Sequence, residues 1–533
     1  MSNNSQNQKV SLFNKALNVI EKTGNALPHP ITLFGSFAFA VVILSAILGA
    51  FNVSATGELI NSATGELEET TVYIKSLLTD DGITYMISSL ITNFTGFAAL
   101  GVVLVTMLGV GCAEGSGYIS AALKKVVSVT PASLITPVVV FLGVMSNVAS
   151  DAGYVVLVPI GAVVFMAYGR HPLAGLAAAF AGVSGGFSAN LAIGTVDTLL
   201  SGISTEAAGI IDPSYQVTAM ANYYFMATST FMIVLIGTIV TNKIVEPRLG
   251  KFVPTEDSGQ GGKDAVANAT RLTPQEAKAL KFANLTLLAL IIGLIAWALP
   301  QDSILRNQNV DSQYYGSLYQ GSLLISGIIV FISTGFFIPS VVFGFISGTY
   351  KSEKDVGVAL GNNMSSMGGY IALVFVCAQF IAYFSYSNMG QVLALNGAKF
   401  LTSIGLSGAP LMVVFILVTA VINLFMGSAS AKWTMLAPVF VPMFMQLGYS
   451  PELTQVAYRI GDSTTNIISP LMTYFAMIVI FAKKYDKNSG IGTLISTMVP
   501  YSICFLLAWS VLLVIWMVFD IPLGPDVSLF YSL

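Results

Sequence analysis

Long apolar runs, separated by short polar segments, recur along almost the whole chain. The first extends from Ile31 to Phe51, the second covers about residues 86–113, and others follow them. A helix needs about 20 apolar residues to cross the bilayer core. Of the 533 residues, 55% are hydrophobic and 9% are charged, whereas soluble domains carry about 25% charged residues. The pattern therefore predicts an all-α polytopic membrane protein, embedded in a lipid bilayer.

The charge and the rare metal-binding residue types argue against several functional classes. The formal net charge is -3, whereas a nucleic-acid-binding protein would present a strongly basic face. Cys112, Cys377 and Cys504 lie inside apolar runs, and His29 and His171 each precede a proline at the foot of such a run. This set does not favour zinc, haem or iron–sulfur chemistry. We expect no nucleic-acid partner and no cofactor apart from a coupling ion.

The N-terminal segment, residues 1–30, is polar, whereas a cleavable signal would begin its apolar core earlier. We therefore predict that the first run is retained and that residues 11–27 form an amphipathic helix on the cytoplasmic membrane surface. After the first run, "SATGEL" occurs twice, at 54–59 and 62–67. We interpret this tandem as a β-hairpin or a solvated loop.

Two blocks of the sequence predict re-entrant helical hairpins. Residues 133–169 contain two apolar halves, each short for a full span, on either side of "SNVASDAG". Lys124 and Lys125 precede this block and Arg170 follows it. Because positive charge marks the cytoplasmic side, both ends of the block are predicted to lie there. Residues 409–447 form a second block, split by "MGSASAKW", and the charge pattern places its ends outside.

Each hairpin is followed by a span that polar residues interrupt. "GVSGGFSAN" interrupts 172–211, and "RIGDSTTNIISP" interrupts 453–482. The chain thus divides into halves 31–245 and 282–533, joined by a cytoplasmic linker at 246–281. We count nine spans and two hairpins, with the N-terminus cytoplasmic and the C-terminus periplasmic. Inverted repeats of this kind are typical of secondary transporters, whose sites lie at helix breaks near the midplane.

The interruptions carry oxygen-bearing side chains suited to a coupling ion. Na⁺ is a hard cation and favours carboxylate, amide, hydroxyl and backbone oxygens. A proton would instead be carried by Asp197 or Asp462. The neutral amide and hydroxyl oxygens favour Na⁺ but leave H⁺ open. The oxygen-bearing residues are Ser146, Asn147, Ser188, Asn190 and Asp197 in the first half and Asn423, Asp462, Ser463 and Asn466 in the second.

Three further residues at the second interruption suggest an anionic, aromatic substrate. Arg459 precedes Asp462 by three residues, so the two share a helix face. This spacing predicts either a buried structural ion pair or an arginine that binds a substrate carboxylate. Trp433 would stack on an aromatic ring of the substrate or lie at the membrane interface. Pro470 ends the interruption, in a purely structural or a functional role.

Five segments resemble the AbgT family of p-aminobenzoyl-glutamate transporters, over nearly the whole chain. The resemblance implies nine spans plus two hairpins, a homodimer in the bacterial inner membrane, and transport of p-aminobenzoyl-glutamate and related folate-pathway compounds, including sulfonamide efflux. The matching segments are "GNALPHPITLFG" (24–35), "SNVASDAGYVVLVP" (146–159), "GGFSANLAIGTVDTLL" (185–200), "MGSASAKWTMLAP" (426–438) and "YRIGDSTTNIISPLMTYF" (458–475).

The resemblance also implies functional positions, and we combine these with the residue pattern. The positions implied by the family are Asp197, Asn423, Ser430, Trp433, Arg459, Asp462 and Pro470. We assign substrate binding to Asn147, Asn190, Ser430, Trp433, Arg459 and Pro470. We assign ion coupling to Asp197, Asn423, Asp462 and Asn466, with Na⁺ at Asn423 and Asp462. The expected function is secondary active transport coupled to Na⁺ or H⁺, in either direction.

Other functions remain as alternatives. One is the transport of a different small carboxylate. Another is an intramembrane serine hydrolase, because "GVSGG" at 182–186 fits G-x-S-x-G; however, no predicted strand precedes it and neither histidine is evidently placed as a base. A channel would need an open path or rings of charge, whereas the acidic residues here are single.

Overall fold

The computed structural model describes residues 28–60, 67–149, 153–252, 271–310, 315–318, 321–472, 474–487 and 489–531, and these are predominantly α-helical. The amphipathic helix predicted for residues 11–27 lies outside these ranges. The helices of the first half are α1 Pro30–Ala50, α2 Asp80–Ser88, α3 Leu90–Thr95, α4 Ala98–Gly115, α5 Tyr118–Val129, α6 Ile135–Ser146, α7 Val158–Ala167, α8 Pro172–Phe180, α9 Thr195–Ala208, α10 Tyr223–Val240 and α11 Glu246–Leu249.

The second half begins beyond the linker, of which residues 253–270 are not described. Its helices are α12 Pro274–Ala298, α13 Leu323–Ser326, α14 Ile328–Ser347, α15 Glu353–Ser366, α16 Gly368–Tyr386, α17 Met389–Ser403, α18 Gly408–Asn423, α19 Ala429–Met445, α20 Pro451–Asn466, α21 Phe475–Lys483 and α22 Ile491–Val518.

Several helices have the length and composition to cross a membrane. Among the described residues these are α1, α10 with its continuation to Leu249, α12, α14, α16 and α22, six in all. Two further pairs of helices pass the same test but are bent, α4 with α5 by 57° and α17 with α18 by 118°. These helices confirm the predicted all-α polytopic fold. The count of nine spans stays a prediction, because length and composition alone do not decide which helices cross.

The apolar run at residues 86–113, expected as one span, is divided. Helix α2 ends at Ser88, α3 is a short helix, and α4 begins at Ala98. The Ser89 hydroxyl donates to the carbonyl of Tyr85 at 2.6 Å, and Gly96 ends α3. Side-chain bonds of this kind compete with the helical pattern. The expectation of one continuous helix here is therefore wrong.

Helix α12 begins with a capping box at Thr273. Thr273 Oγ1 accepts from the N–H of Glu276 at 3.1 Å, and Glu276 Oε2 accepts from the N–H of Thr273 at 2.7 Å. Pro274 occupies the first helical position, where its missing N–H has no cost. The helix then continues unbroken to Ala298, so the end of the predicted linker and the next predicted span form one element.

The described residues on either side of 61–66 form a β-hairpin, which is the first of the two alternatives. Strands Ser54–Ile60 and Leu67–Tyr73 pair antiparallel and place Thr56 opposite Thr71. The hydroxyls of these two threonines lie 2.8 Å apart. Lys399 of α17 donates to the carbonyl of Thr56 at 2.7 Å, which ties the hairpin to the helical body.

Helix α20 lies at the centre of the second half and is buried at every residue. It packs against α18, α19, α22 and α9. A Cβ atom at Gly461 would lie 2.5 Å from the carbonyl oxygen of Ile416 in α18. In the first half, a Cβ at Gly143 of α6 would lie 2.8 Å from Cα of Gly182. The two interrupted spans, 172–211 and 453–482, thus each contact the first helix of the preceding predicted hairpin through a glycine, as membrane helices often do.

Candidate functional site

The first break lies between α8 and α9. A π-helical turn at Ala181–Gly185 follows α8, and residues 186–194 are non-helical until α9 begins at Thr195. Asp197 Oδ2 accepts from the N–H of Gly194 at 2.8 Å. The free amides of a helix N-terminus favour a carboxylate at this position. The break therefore fixes Asp197 in the first turn of α9.

The two halves meet at Arg459 of α20. Its Nη2 lies 2.6 Å from Asp197 Oδ1 and donates to the carbonyl of Ser188 at 2.9 Å. The arginine side chain is 2% exposed. The N–H of Ser188 donates in turn to Ser463 Oγ at 3.2 Å, so backbone of the first break binds α20 twice. The ion pair predicted between Arg459 and Asp462 is not formed, because Arg459 has a carboxylate partner from the other half.

Asp462 pairs instead with Lys432 of α19. The lysine Nζ lies 2.5 Å from Asp462 Oδ1, and both side chains are essentially inaccessible. The same Nζ contacts Asn423 Oδ1. A buried charge is costly unless it is paired and hydrogen-bonded. Two predicted ion-coupling residues, Asn423 and Asp462, therefore both contact the ammonium group of Lys432.

Asn423 connects this pair to the end of α20. Its Nδ2 donates to the backbone oxygen of Asp462 at 2.6 Å, to Thr465 Oγ1 at 2.9 Å and to Asn466 Oδ1 at 2.9 Å. Asn466 Nδ2 donates to Asp462 Oδ2 at 3.4 Å. The three residues predicted for the second-half ion site are therefore in one hydrogen-bonded cluster. Their amide and carboxylate oxygens are the ligand types that a hard cation favours.

Trp433 lies beside this cluster with no exposed surface. Its ring stacks on Tyr458 with centroids 4.5 Å apart, and its indole N–H donates to Ser204 Oγ at 3.0 Å. Tyr458 donates to the carbonyl of Ala429 at 2.5 Å. Trp433 is thus interior and does not face lipid as an interfacial tryptophan would. Its stacking on a substrate ring stays a prediction, since Tyr458 occupies a face of the indole here.

Several buried polar atoms at the breaks have no hydrogen-bond partner among the described residues. They are Asn147 Oδ1, Ser188 Oγ, Arg459 Nε and Ser469 Oγ. Buried polar atoms are nearly always bonded, so each orphan calls for an explanation. Asn147 is held by its Nδ2, which donates to Val144 O at 3.1 Å and lies 3.5 Å from Gly186 O. These atoms offer unused bonding capacity to a polar ligand.

The remaining predicted residues lie at the edges of the same region. Asn190 is buried within the first break, where its Oδ1 accepts from the N–H of Ala192 at 3.3 Å. Ser430 is half-buried in the first turn of α19, with its hydroxyl 3.2 Å from that of Ser428. Pro470 is half-buried after the end of α20. The contacts of these three do not include either ion pair.

Sequence reasoning missed Lys432. Residues 409–447 contain no other charged side chain, and a lone lysine within an apolar block was the available signal. It also missed Ser204 and Tyr458, whose positions against Trp433 depend on the packing of α9, α19 and α20.

The serine-hydrolase alternative receives no support from the geometry. The Ser184 hydroxyl donates to Met472 Sδ at 3.1 Å and is completely buried. His171 Nδ1 accepts from the N–H of Leu173 at 3.2 Å, and His29 Nδ1 accepts from that of Ile31 at 3.4 Å. Both histidines cap helices and neither bonds the serine, so neither provides Ser184 with the base of a catalytic triad.

The motifs, the two helix breaks and the two ion pairs together characterise the chain. Comparison with known proteins agrees with the family that the motifs resemble. The sequence matches the AbgT putative transporter family over residues 15–531. The chain belongs to the AbgT family. It is therefore a membrane transporter, and the resemblance predicted from its motifs is confirmed.

Individual AbgT-family members show the same relationship. This AbgT-family chain is 37% identical over 508 residues to the p-aminobenzoyl-glutamate transport protein of Escherichia coli strain K12, covering 95% of this chain and 96% of that protein. It is similar to the structure of the Alcanivorax borkumensis YdaH transporter, with a TM-score of 0.85, 45% identity, and coverage of 93% of this chain and 100% of that one. It is also similar to Neisseria gonorrhoeae MtrF, described within a class of antimetabolite efflux pumps, with a TM-score of 0.88, 47% identity, and coverage of 96% and 100%.

Proposed function

We propose that this AbgT-family protein is a secondary active transporter that moves p-aminobenzoyl-glutamate and related folate-pathway compounds, sulfonamides included, across a bacterial inner membrane. The observation that carries the proposal is the ion pair between the buried Arg459 and the half-buried Asp197, which joins the breaks of the two halves. Intramembrane charges of this kind mark transport pathways. The curated E. coli relative is described as a p-aminobenzoyl-glutamate transport protein, which supports the substrate.

The chemistry of the site supports an anionic aromatic substrate. Arg459 presents a buried guanidinium with one unpartnered N–H, at Nε, and guanidinium binds carboxylates strongly. Trp433 and Tyr458 provide aromatic rings nearby. In this structure Arg459 is paired with Asp197, and the ring of Trp433 is stacked on Tyr458. Substrate entry therefore exchanges the Asp197 and Tyr458 contacts for contacts with a carboxylate and an aryl ring.

The coupling ion is proposed as Na⁺, with H⁺ as the alternative. Asp462 Oδ1 and Asn423 Oδ1 converge on one position, and both are hard oxygen ligands. We further propose a homodimer, a cytoplasmic N-terminus and a periplasmic C-terminus. Cross-linking of the purified protein in membranes tests the first. Protease access to tags at each end, in right-side-out vesicles, tests the other two.

Flux in proteoliposomes tests the main proposal. Labelled p-aminobenzoyl-glutamate is followed under an imposed Na⁺ gradient with a protonophore present, and then under a proton gradient without Na⁺. Flux that follows the Na⁺ gradient supports both the substrate and the ion. Flux driven only by the proton gradient would support the proposed substrate and would identify H⁺ as the coupling ion. No flux under either gradient, together with competition by another small carboxylate for binding, would overturn the substrate.

A further inference from the structure

Lys432 occupies the position that the proposed ion ligands define. Its Nζ lies 2.5 Å from Asp462 Oδ1 and also contacts Asn423 Oδ1. The lysine has no exposed surface. The other contacts of the Asp462 carboxylate come from the hydroxyl of Tyr458 and the amide of Asn466, each at 3.4 Å. The ammonium is thus the cation that this ligand set holds.

We propose that Lys432 is an internal cation that competes with the coupling ion for Asp462 and Asn423. The inference rests on the proposed function, because it concerns the ion site of the same transporter. Na⁺ and the ammonium need the same two oxygen atoms, and two positive charges a few ångströms apart repel strongly in a buried site. Ion binding therefore requires the ammonium to move away, and ion release allows it to return.

The position of Lys432 in the chain allows such a movement. It lies one turn into α19, and residues 424–428 between α18 and α19 are not α-helical. Residues 424–428 of this connection are half-buried, in contrast to the completely buried Lys432 and Trp433. A shift of the first turn of α19 would withdraw the ammonium and the adjacent Trp433 together. Ion binding is thereby linked to the aromatic side chain proposed for the substrate.

A purely structural lysine predicts a different response to substitution. If Lys432 only holds Asp462 and Asn423 in position, removing it disorders the site and weakens cation binding. If Lys432 competes, removing it leaves a carboxylate whose only available counter-charge is the added ion. The apparent affinity for a ligand is reduced by the fraction of molecules in the competent state, so removal of the competitor increases that affinity.

Equilibrium binding of ²²Na⁺ to the purified full-length protein distinguishes these roles and needs no organic substrate. We expect Lys432→Met to bind Na⁺ about tenfold more tightly than the wild type, which corresponds to a competent state populated at about 10%. Lys432→Arg keeps the positive charge and should retain the weak wild-type affinity. Lys399→Met is the matched control, since Lys399 binds the β-hairpin and not the ion site. Unchanged or weaker Na⁺ binding by folded Lys432→Met would overturn the proposal.

Folding is controlled by a second variant, because removal of one partner from a buried ion pair is strongly destabilising. The double variant Lys432→Met/Asp462→Asn is neutral at this position, and we expect it to fold and bind no Na⁺. If Lys432→Met folds only in Na⁺, its Tm should rise with NaCl but not with choline chloride, and equal rises in both salts would contradict competition. Absence of Na⁺ binding in every variant would overturn the lysine proposal, while proton-driven substrate flux would leave the transporter proposal intact. Tighter Na⁺ binding by Lys432→Met without p-aminobenzoyl-glutamate flux would support the lysine proposal and contradict the proposed substrate.

Discussion

Arg459 and Asp197 are 262 positions apart in the sequence, yet Nη2 of one lies 2.6 Å from Oδ1 of the other inside the protein. The contact joins the second broken segment to the first. Guanidinium at this point also holds the carbonyl of Ser188, so one side chain fixes both the charge and the backbone of the opposite break.

Replacement of Arg459 by lysine should therefore impair substrate binding although it keeps the charge. Lysine has a single ammonium to replace Nη2, which donates to both the Ser188 carbonyl and the Asp197 carboxylate, and it lacks the Nε–H that Arg459 leaves available for a substrate carboxylate. We expect the KM for p-aminobenzoyl-glutamate to rise about tenfold or more, measured from initial flux in proteoliposomes. Arg248→Lys is the control, because Arg248 binds Ser496 at an exposed position. An unchanged KM in the Arg459→Lys protein would remove this residue from the substrate site.

Asp462→Asn should abolish coupled transport while the protein still folds. The amide keeps the shape of the side chain and can accept from Lys432, but it removes the negative charge that the coupling ion needs. It also leaves the buried ammonium without a counter-charge, so we expect a lower Tm than in the wild type. Gradient-driven flux and size-exclusion behaviour in detergent are the two measurements. Asp81→Asn, at an exposed position in α2, should transport normally. Wild-type flux from a well-folded Asp462→Asn preparation would contradict the assignment of Asp462 to ion coupling.

The hydrogen bond between Trp433 and Ser204 should contribute measurably to stability. Ser204→Ala leaves the buried indole N–H without its acceptor, which costs about 1–3 kcal/mol. Trp433→Phe removes the same bond from the other side and loses the larger ring. A double-mutant cycle of thermal unfolding in detergent should show that the two changes are not additive. Additive effects would mean that the bond contributes nothing to the folded state.

Gly461→Ala tests the close approach of α20 to α18. The new Cβ would lie 2.5 Å from the carbonyl oxygen of Ile416, which belongs to rigid backbone. We expect a loss of about 1–3 kcal/mol in stability, read from the Tm. Gly293→Ala in α12 is a matched control with open space around the glycine, and it should gain about 0.5–1 kcal/mol from helix propensity. Equal shifts for both variants would contradict the packing argument.

The sequence located the first helix break better than the second. Clusters of glycine and polar residues within apolar segments have few physical explanations in a bilayer, so "GVSGGFSAN" indicated a break just after α8. The second break was placed too early, because α20 continues through the first eight residues of "RIGDSTTNIISP" and ends at Asn466. The sequence likewise grouped Asn423, Asp462 and Asn466 by their oxygen-bearing side chains, and the three lie in one hydrogen-bonded cluster. Their binding of a cation stays a prediction.

The ion-pair partners were not predictable from the sequence. Helical spacing placed Arg459 beside Asp462, but spacing along one helix does not say which neighbouring helices bring charges to it. Lys432 comes from α19 and Asp197 from α9, and both positions depend on tertiary packing. The prediction of one continuous helix at 86–113 failed for a local reason, since the hydroxyl of Ser89 binds within its own turn.

The two ion pairs place two positive and two negative side chains around α20, and of these four only Asp197 is half-buried instead of buried. Their formal charges cancel when neither substrate nor ion is bound. Moving one uncompensated charge through the membrane field would cost about 2.3 kcal/mol per 100 mV. We therefore expect the unloaded protein to reorient at a rate that membrane voltage does not change, while the loaded protein responds to voltage. Transient currents on a supported membrane, recorded with and without Na⁺, would reveal this electrical silence of the empty half-cycle.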